Sequence, residues 1–226
     1  MPSKDYKIGL VHATMNSVQP ILEAFEVYEP QVRLINFMDE SLIVELNETG
    51  IVTKNMKRRL LNLVEKAIQS DVDGVLLTCS SFTPAVEEIS HLFDVPVLSA
   101  DLSMLESAIE IGHRIGVIAT VEAAGPTTTK LLEKISLEKR KEISVKTEII
   151  SEAFQALQNR NPIKHDELIH EKVKNLSGEC DVILFAQFSM ARALKSIDGV
   201  TTPILTSPQI SVGAIVNEIS KREIVL

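Results

Sequence analysis

The feature that most constrains the fold is an internal duplication at a spacing of 107 to 108 residues. KIGLVHAT from Lys7 overlays RIGVIATV from Arg114, 107 positions on. DGVLLTCSSFT from Asp73 overlays DVILFAQFSMA from Asp181, 108 positions on, and VPVLS around Pro96 overlays TPILT around Pro203, 107 on. Three separate apolar runs that keep one offset mark a repeated unit. The period is far longer than that of a solenoid, so the chain reads as two similar lobes rather than an array.

Each lobe alternates short apolar runs with helical patterns. The runs 7–13, 32–37, 74–79, 95–100, 114–120, 144–150, 181–187 and 202–207 predict strands, and 55–69, 84–93, 127–135 and 166–176 predict helices. Continuous apolar strands between helices predict parallel sheets covered on both faces. The expected architecture is α/β: two doubly wound parallel-sheet lobes related by pseudo-twofold symmetry, with an active site in the cleft between them. The first lobe takes 1–100 plus 208–226, and the second 101–207. ADLSMLESAIEIGH after Ser99 reads as a connecting helix capped by Asp101 or Ser103. The segment 208–224 reads as a final helix that packs back on the first lobe.

Bulk properties narrow the function. A net charge of −8 argues against nucleic acid, which needs clustered cations. The basic run KNMKRRL, 54–60, falls on a predicted helix and reads as a solvated face. The first residues, MPSKDYKIGLV, lack a signal peptide's long apolar stretch, and no run approaches a membrane span. Only two cysteines occur, Cys79 and Cys180, with no CxxC spacing, which disfavours a disulfide scaffold or a cysteine zinc site. His165 and His170 stand five apart, on different helix faces, and make a poor metal pair. GPTTTK, 125–130, lacks the GxxxxGK[ST] pattern and reads as a loop with Pro126 starting a helix. No metal, nucleotide or pyridoxal signature is visible. The expectation is a reduced, cytoplasmic protein without a cofactor.

Chemistry is expected beyond the carboxyl ends of the strands, where ligands bind in open parallel sheets. Polar residues gather there: 13–17 (with Asn16), Cys79 with Ser80 and Ser81, Ser99, Thr120 to Glu122, Gln187 to Ser189, and Thr206 with Ser207. In SSFTPAVEEISHLF, Ser80, Ser81 or Thr83 can cap a helix opened by Pro84, with Glu87 and Glu88 favouring its positive end. A thiol beside such an N-terminus has its thiolate stabilised. Cys79 alone would read as a small buried hydrophobe. The neighbouring hydroxyls and the mirrored Gln187 favour a functional thiol. Cys180 precedes its strand, away from the carboxyl end, and is expected to be inert.

On LLTCSS, on the matching LFAQFS, on the duplication and on the closing TSP at 206–208, the chain resembles the aspartate/glutamate/hydantoin racemase superfamily over essentially its whole length. The resemblance implies a cofactor-independent isomerase whose two cysteines work on opposite faces of the substrate α-carbon, one removing a proton and the other returning one. Carried over by position, Cys79 is the first-lobe acid/base. Ser80 and Ser81 fit the adjoining anion-binding turn, with Thr120 and Ser189 as its mirror elements, and Asn16, Gln187 and Ser207 at the strand ends are further candidate substrate-binding positions. The second cysteine's place is taken by Gln187. A carboxamide has no useful pKa near neutrality, although it donates and accepts hydrogen bonds.

The altered position opens alternatives. His12, at the end of the first strand, or Glu122 could serve as an auxiliary acid/base, although each also fits a packing or exposed-loop role. A single first-lobe thiol suits the nucleophile of maleate isomerases better than the second-lobe cysteine of arylmalonate decarboxylases. A non-catalytic small-molecule binding protein also fits two lobes around a cleft. The partner implied is a small carboxylate or cyclic amide, with neither nucleic acid nor membrane, and a homodimer or higher homo-oligomer stays open.

Overall fold

The computed structural model describes residues 5–122 and 124–225. Eight strands lie among them: β1 (Lys7–His12), β2 (Arg33–Met38), β3 (Gly74–Leu77), β4 (Val97–Ser99), β5 (Arg114–Ala119), β6 (Ser144–Ile149), β7 (Val182–Phe185) and β8 (Ile204–Thr206). They build two four-stranded sheets, ordered β2-β1-β3-β4 and β6-β5-β7-β8, with every pairing parallel. All eight expected strands are present, each within a few residues of its apolar run.

The central strands are largely apolar because helices cover both faces. Every residue of β3 and β7 is buried, as is all of β1 and β5 beyond the first residue. The outer strands β2 and β6 contain no fully buried residue. The flanking helices are α1 (Val18–Tyr28), α2 (Ser41–Thr49), α3 (Lys54–Ile68), α4 (Thr83–Ile89), α5 (Ala100–Ile111), α6 (Ala124–Glu138), α7 (Ser151–Gln158), α8 (Pro162–Ser177) and α9 (Ser207–Val225).

In α3 the Thr53 hydroxyl caps the helix by accepting from the Met56 N–H. Met56, Leu60, Leu63, Val64 and Ala67 then repeat at helical spacing and bury against Val11, Val75 and Leu77. Of the basic residues of this helix, Lys54, Arg58 and Lys66 are exposed, while Lys57 and Arg59 make ion pairs. Lys57 pairs with Glu88, and Arg59 donates to Asp39 and Glu45. In the other sheet, Ile169, Val173 and Leu176 of α8 close over Ile118, Ile183 and Phe185.

The duplication extends to how the first strand of each sheet is held. The Asp73 carboxylate accepts the Lys7 N–H at 2.7 Å. Its counterpart Asp181 accepts the Arg114 N–H at 2.8 Å and the His113 N–H at 3.0 Å, and also takes the Arg114 guanidinium. In each case an aspartate before the third strand satisfies a backbone donor at the start of the first.

Contacts divide the chain into two units, Met1–Leu102 with Pro208–Leu226, and Ser103–Ser207. The change of unit falls inside α5. Helix α9 returns to the first unit, where Ile215 and Ile219 lie 3.0 to 3.1 Å from the point a Cβ on Gly74 would occupy. The Tyr6 hydroxyl meets the Ser220 hydroxyl at 3.1 Å.

Local capping departs from expectation at two places. Helix α5 starts at Ala100, so Asp101 sits inside its first turn and neither it nor Ser103 precedes the helix. Ser80–Phe82 form a 3-10 turn, and α4 follows it with Phe82 at the cap position and no side-chain cap. Ser80, Ser81 and Thr83 therefore do not cap α4, and its first turn carries no acid. The tight turn takes the place of a capping hydroxyl.

Candidate active site

Strand order locates the site in each unit. The chain leaves β1 for β2 on one side, then crosses back to β3 on the other, so the order reverses between β1 and β3. In such sheets the loops at the carboxyl ends of those two strands diverge and leave a crevice. In the first unit these loops carry residues 13–17 and 78–82. In the second, the β5 and β7 loops carry 120–122 and 186–189.

Cys79 directly follows the β3 loop residue Thr78 and stands just before the 3-10 turn, 8% exposed. Burial pushes its thiol up, the Ser81 backbone N–H opposes that, the Asp101 carboxylate pushes it further up, and the Ser81 hydroxyl again opposes; the result is a thiol pushed up to about 12. The expectation of a thiolate stabilised by a helix end is thus corrected. Only a seven-residue helix follows, one turn away, and desolvation outweighs it. Ser80 and Ser81 are half-buried in the turn, and Asn16 is exposed in the β1 loop with its N–H on the Thr14 hydroxyl.

His12 is fully buried. Its Nε2 meets Asn36 Oδ1 at 2.9 Å and its Nδ1 meets Thr78 Oγ1 at 2.7 Å, with Ser17 Oγ at 3.3 Å. Nε2–H donating to the amide oxygen leaves Nδ1 to accept from the Thr78 hydroxyl. Burial lowers the pKa of this ring against the opposing Asn36 bond, which keeps it neutral. His12 thereby ties β1, β2 and the residue before Cys79 into one polar network.

Gln187 occupies the position in the second unit that matches Cys79. Its Oε1 accepts the Thr120 N–H at 2.9 Å and the Thr120 hydroxyl at 3.3 Å. Its Nε2 is buried and finds no hydrogen-bond partner among the described residues. The carboxamide is thus pinned by one end with its donor end uncommitted. Thr120 is 2% exposed, Ser189 is half-buried in a 3-10 helix, and the Ser207 hydroxyl is buried and donates to Met104 Sδ at 3.5 Å. Glu122 is exposed in the β5 loop.

Within the first unit the structure gathers Asn16, Cys79, Ser80 and Ser81 at the β1 and β3 ends. Within the second it gathers Thr120, Glu122, Gln187 and Ser189 at the β5 and β7 ends, with Ser207 after β8. Cys180 is buried before β7, at the amino end of the sheet, with its thiol pushed up by burial. Its sulfur lies 3.1 Å from where a Gly116 Cβ would stand, so it fills the space that glycine leaves. Sequence reasoning did not find Thr78, Ser17 and Asn36 around His12, or the Thr83–Ser99–Asp101 group beside Cys79. Strand register is the signal that could have found the second group, because Leu77 pairs with Ser99.

No group of three or more His, Cys, Asp or Glu side chains among the described residues could hold a metal ion. No helix among them is long and apolar enough to cross a membrane.

Two α/β units of parallel sheet, each with polar loops at its switch point and one with a thiol there, match a known family of racemases. The family described as Asp/Glu/Hydantoin racemase matches residues 10–215, and the chain belongs to it. Curated protein sequences yield no match. Solved structures share the fold. Picrophilus torridus aspartate racemase is 11% identical, with a TM-score of 0.74, over 95% of this chain and 94% of that one. Glutamate racemase isoform RacE1 from Bacillus anthracis is 15% identical, with a TM-score of 0.72, over 98% and 84%. Allantoin racemase from Pseudomonas fluorescens is 15% identical, with a TM-score of 0.66, over 95% and 91%.

Proposed function

We propose that the protein is a cofactor-independent isomerase or racemase of a small carboxylic acid, amino acid or hydantoin, with Cys79 as its single acid–base thiol. The observation that carries this reading is the contrast between the two duplicated positions. One holds a thiol at a switch point, and the other holds an amide fixed on Thr120. A thiol exchanges a proton with a carbon acid, and a carboxamide does not. Gln187 instead supplies an uncommitted N–H donor for a substrate oxygen. Ser80 and Ser81, in the turn beside the sulfur, supply donors for the charge that develops on a carboxylate or enolate. Cys180 takes no part, packed at the opposite end of its strand.

The reading is tested with dialysed protein and no added cofactor. Single enantiomers of amino acids, 2-substituted acids and hydantoins are followed by polarimetry and chiral chromatography, and maleate by its conversion to fumarate in proton NMR. Turnover of at least one compound is expected, lost in Cys79→Ser and kept in Cys180→Ser. Binding of a panel member without turnover would make the protein a receptor and end the enzyme reading.

A further inference from the structure

We propose that His12 is a positioning residue for Cys79, acting through Thr78 to hold the loop that bears the sulfur against the β1 loop; this rests on Cys79 being the reactive group. Both ring nitrogens are committed, Nε2 to Asn36 Oδ1 at 2.9 Å and Nδ1 to Thr78 Oγ1 at 2.7 Å, so the ring itself is not placed to exchange a proton with a substrate. Thr78 is joined to Cys79 by one peptide bond, and its hydroxyl also stands 2.9 Å from Ser17 Oγ. Ser17 Oγ in turn lies 2.9 Å from the Thr14 carbonyl oxygen, and Thr14 Oγ1 accepts the Asn16 N–H at 3.3 Å. One chain of contacts therefore runs from Asn36 on β2, through the imidazole at the end of β1, to the residue before the thiol and to the loop that carries Asn16. His12, Ser17 and Thr78 are 0%, 2% and 1% exposed. Groups buried this far have no alternative partner in bulk water, so the contacts select one placement of the two loops.

The duplication shows that the strand end and the turn do not require this network. Ala119, Ala186 and Ala124 stand in the second unit where His12, Thr78 and Ser17 stand in the first, at offsets of 107, 108 and 107. The backbone is built alike without them. The Thr78 N–H donates to the Val11 carbonyl at 3.0 Å, and the Ala186 N–H to the Ile118 carbonyl at 2.9 Å. The Phe82 N–H donates to the Cys79 carbonyl and the Met190 N–H to the Gln187 carbonyl, both at 3.1 Å. Alanine is thus sufficient for this backbone, and the three polar side chains are buried, against their desolvation, only in the repeat that carries a thiol.

The two side chains at the matched positions explain the difference. Gln187 is fixed by its own carboxamide, which accepts from the Thr120 N–H and hydroxyl. A thiol is a weak donor and a weak acceptor, so where the Cys79 sulfur stands is set chiefly by the backbone that carries it. Proton transfer between sulfur and carbon needs near-contact distance and alignment, and a displacement of about 1 Å costs up to about a hundredfold in rate. Holding Thr78 therefore does for the thiol what Thr120 does for the amide.

The test uses variants that separate the two sides of the ring. His12→Asn keeps a polar atom where Nδ1 meets Thr78, and His12→Gln keeps one where Nε2 meets Asn36; both lose the ring. Thr78→Val removes the hydroxyl, and Thr78→Ser restores it. In turnover, His12→Gln and Thr78→Val are expected to lower kcat by about ten- to a hundredfold with KM within about twofold, while His12→Asn and Thr78→Ser recover most of the loss. A second readout needs no substrate: iodoacetamide labelling of Cys79 and Cys180 in the same molecule, followed by mass spectrometry on the folded protein. His12→Gln and Thr78→Val are expected to speed labelling of Cys79 several-fold and to leave Cys180 unchanged. Val64→Ala, which destabilises the same unit from the buried face of α3, is expected to leave the Cys79 rate near that of the parent. Unchanged Cys79 labelling in Thr78→Val overturns the proposal, as does an equal rise in Val64→Ala or an equal loss of kcat in both His12 variants. Turnover that survives Cys79→Ser removes the thiol from the chemistry, and the labelling rates then decide separately whether His12 positions it.

Discussion

Gly9 and Gly116 occupy matching positions in β1 and β5, yet alanine at the two sites should have different costs. A Cβ on Gly9 would stand 2.8 Å from the Ala67 Cβ, and 3.6 Å from Phe37 Cε2 and Val72 Cγ1. Ala67 is fully buried in α3, and its Cβ has no torsion by which to retreat. Carbon pairs settle at about 3.5–4.0 Å, so α3 and β1 must separate by about 1 Å. Overpacking of this kind costs about 1–3 kcal/mol, offset by about 0.4–1 kcal/mol from the less flexible unfolded chain. A net loss of about 1–2 kcal/mol lowers Tm by roughly 2–8 °C in a chain of this size. At Gly116 the same Cβ meets Cys180 Sγ at 3.1 Å, Leu176 Cδ1 at 3.3 Å and Ile183 Cγ1 at 3.4 Å. These are ends of side chains that yield by a few tenths of an ångström, so Gly116→Ala should cost about half as much or less. Scanning calorimetry and urea titration of both variants measure the difference. Pairing Gly9→Ala with Ala67→Gly, in a double-mutant cycle, should return at least about 1 kcal/mol of coupling. A Gly9→Ala protein as stable as its parent, or a cycle without coupling, would refute the steric argument.

Two further outcomes follow from the same geometry. Asp181 is held at about 2 by the Arg114 guanidinium and by the Arg114 and His113 N–H groups, against an ordinary carboxylate value of about 3.9. A depressed folded value stabilises above the unfolded pKa, and the benefit is lost as pH falls from about 4 towards about 2. Urea midpoints measured across that window should fall with acid in the parent and less steeply in Asp181→Asn; parallel slopes would contradict the assignment. Gln187→Leu removes the acceptor of a buried N–H on Thr120 and should lower stability by about 1–2 kcal/mol in urea titration. An unaffected midpoint would mean that this hydrogen bond contributes nothing.

The strands were legible because buried parallel strands are written as continuous apolar runs, and the duplication gave each run a second witness. Helices α1, α2 and α7 were not among the predicted elements. Pro20 interrupts the first near its start, α2 buries Leu42 alone, and α7 is eight residues long with only Ala153 and Ala156 buried. The candidate site was legible as positions and less so as chemistry. Cys79 and Gln187 were found from the repeat, but the Thr120–Gln187 bond joins different strands and has no local signature. Asp101 reads as a helix cap in one dimension, since capping is a rule about neighbours in sequence. The thiolate expectation failed for a related reason, because burial is a property of the packed unit and here outweighs a short helix.

The central claim is that proton transfer at carbon belongs to Cys79 alone. It is tested most directly by deuterium incorporation at the α-carbon of the turned-over acid or hydantoin in D₂O, followed by proton NMR. The account predicts incorporation by the parent and by Cys180→Ser, and none above the uncatalysed rate by Cys79→Ser. Exchange that persists in Cys79→Ser would contradict it and assign the proton chemistry to another side chain.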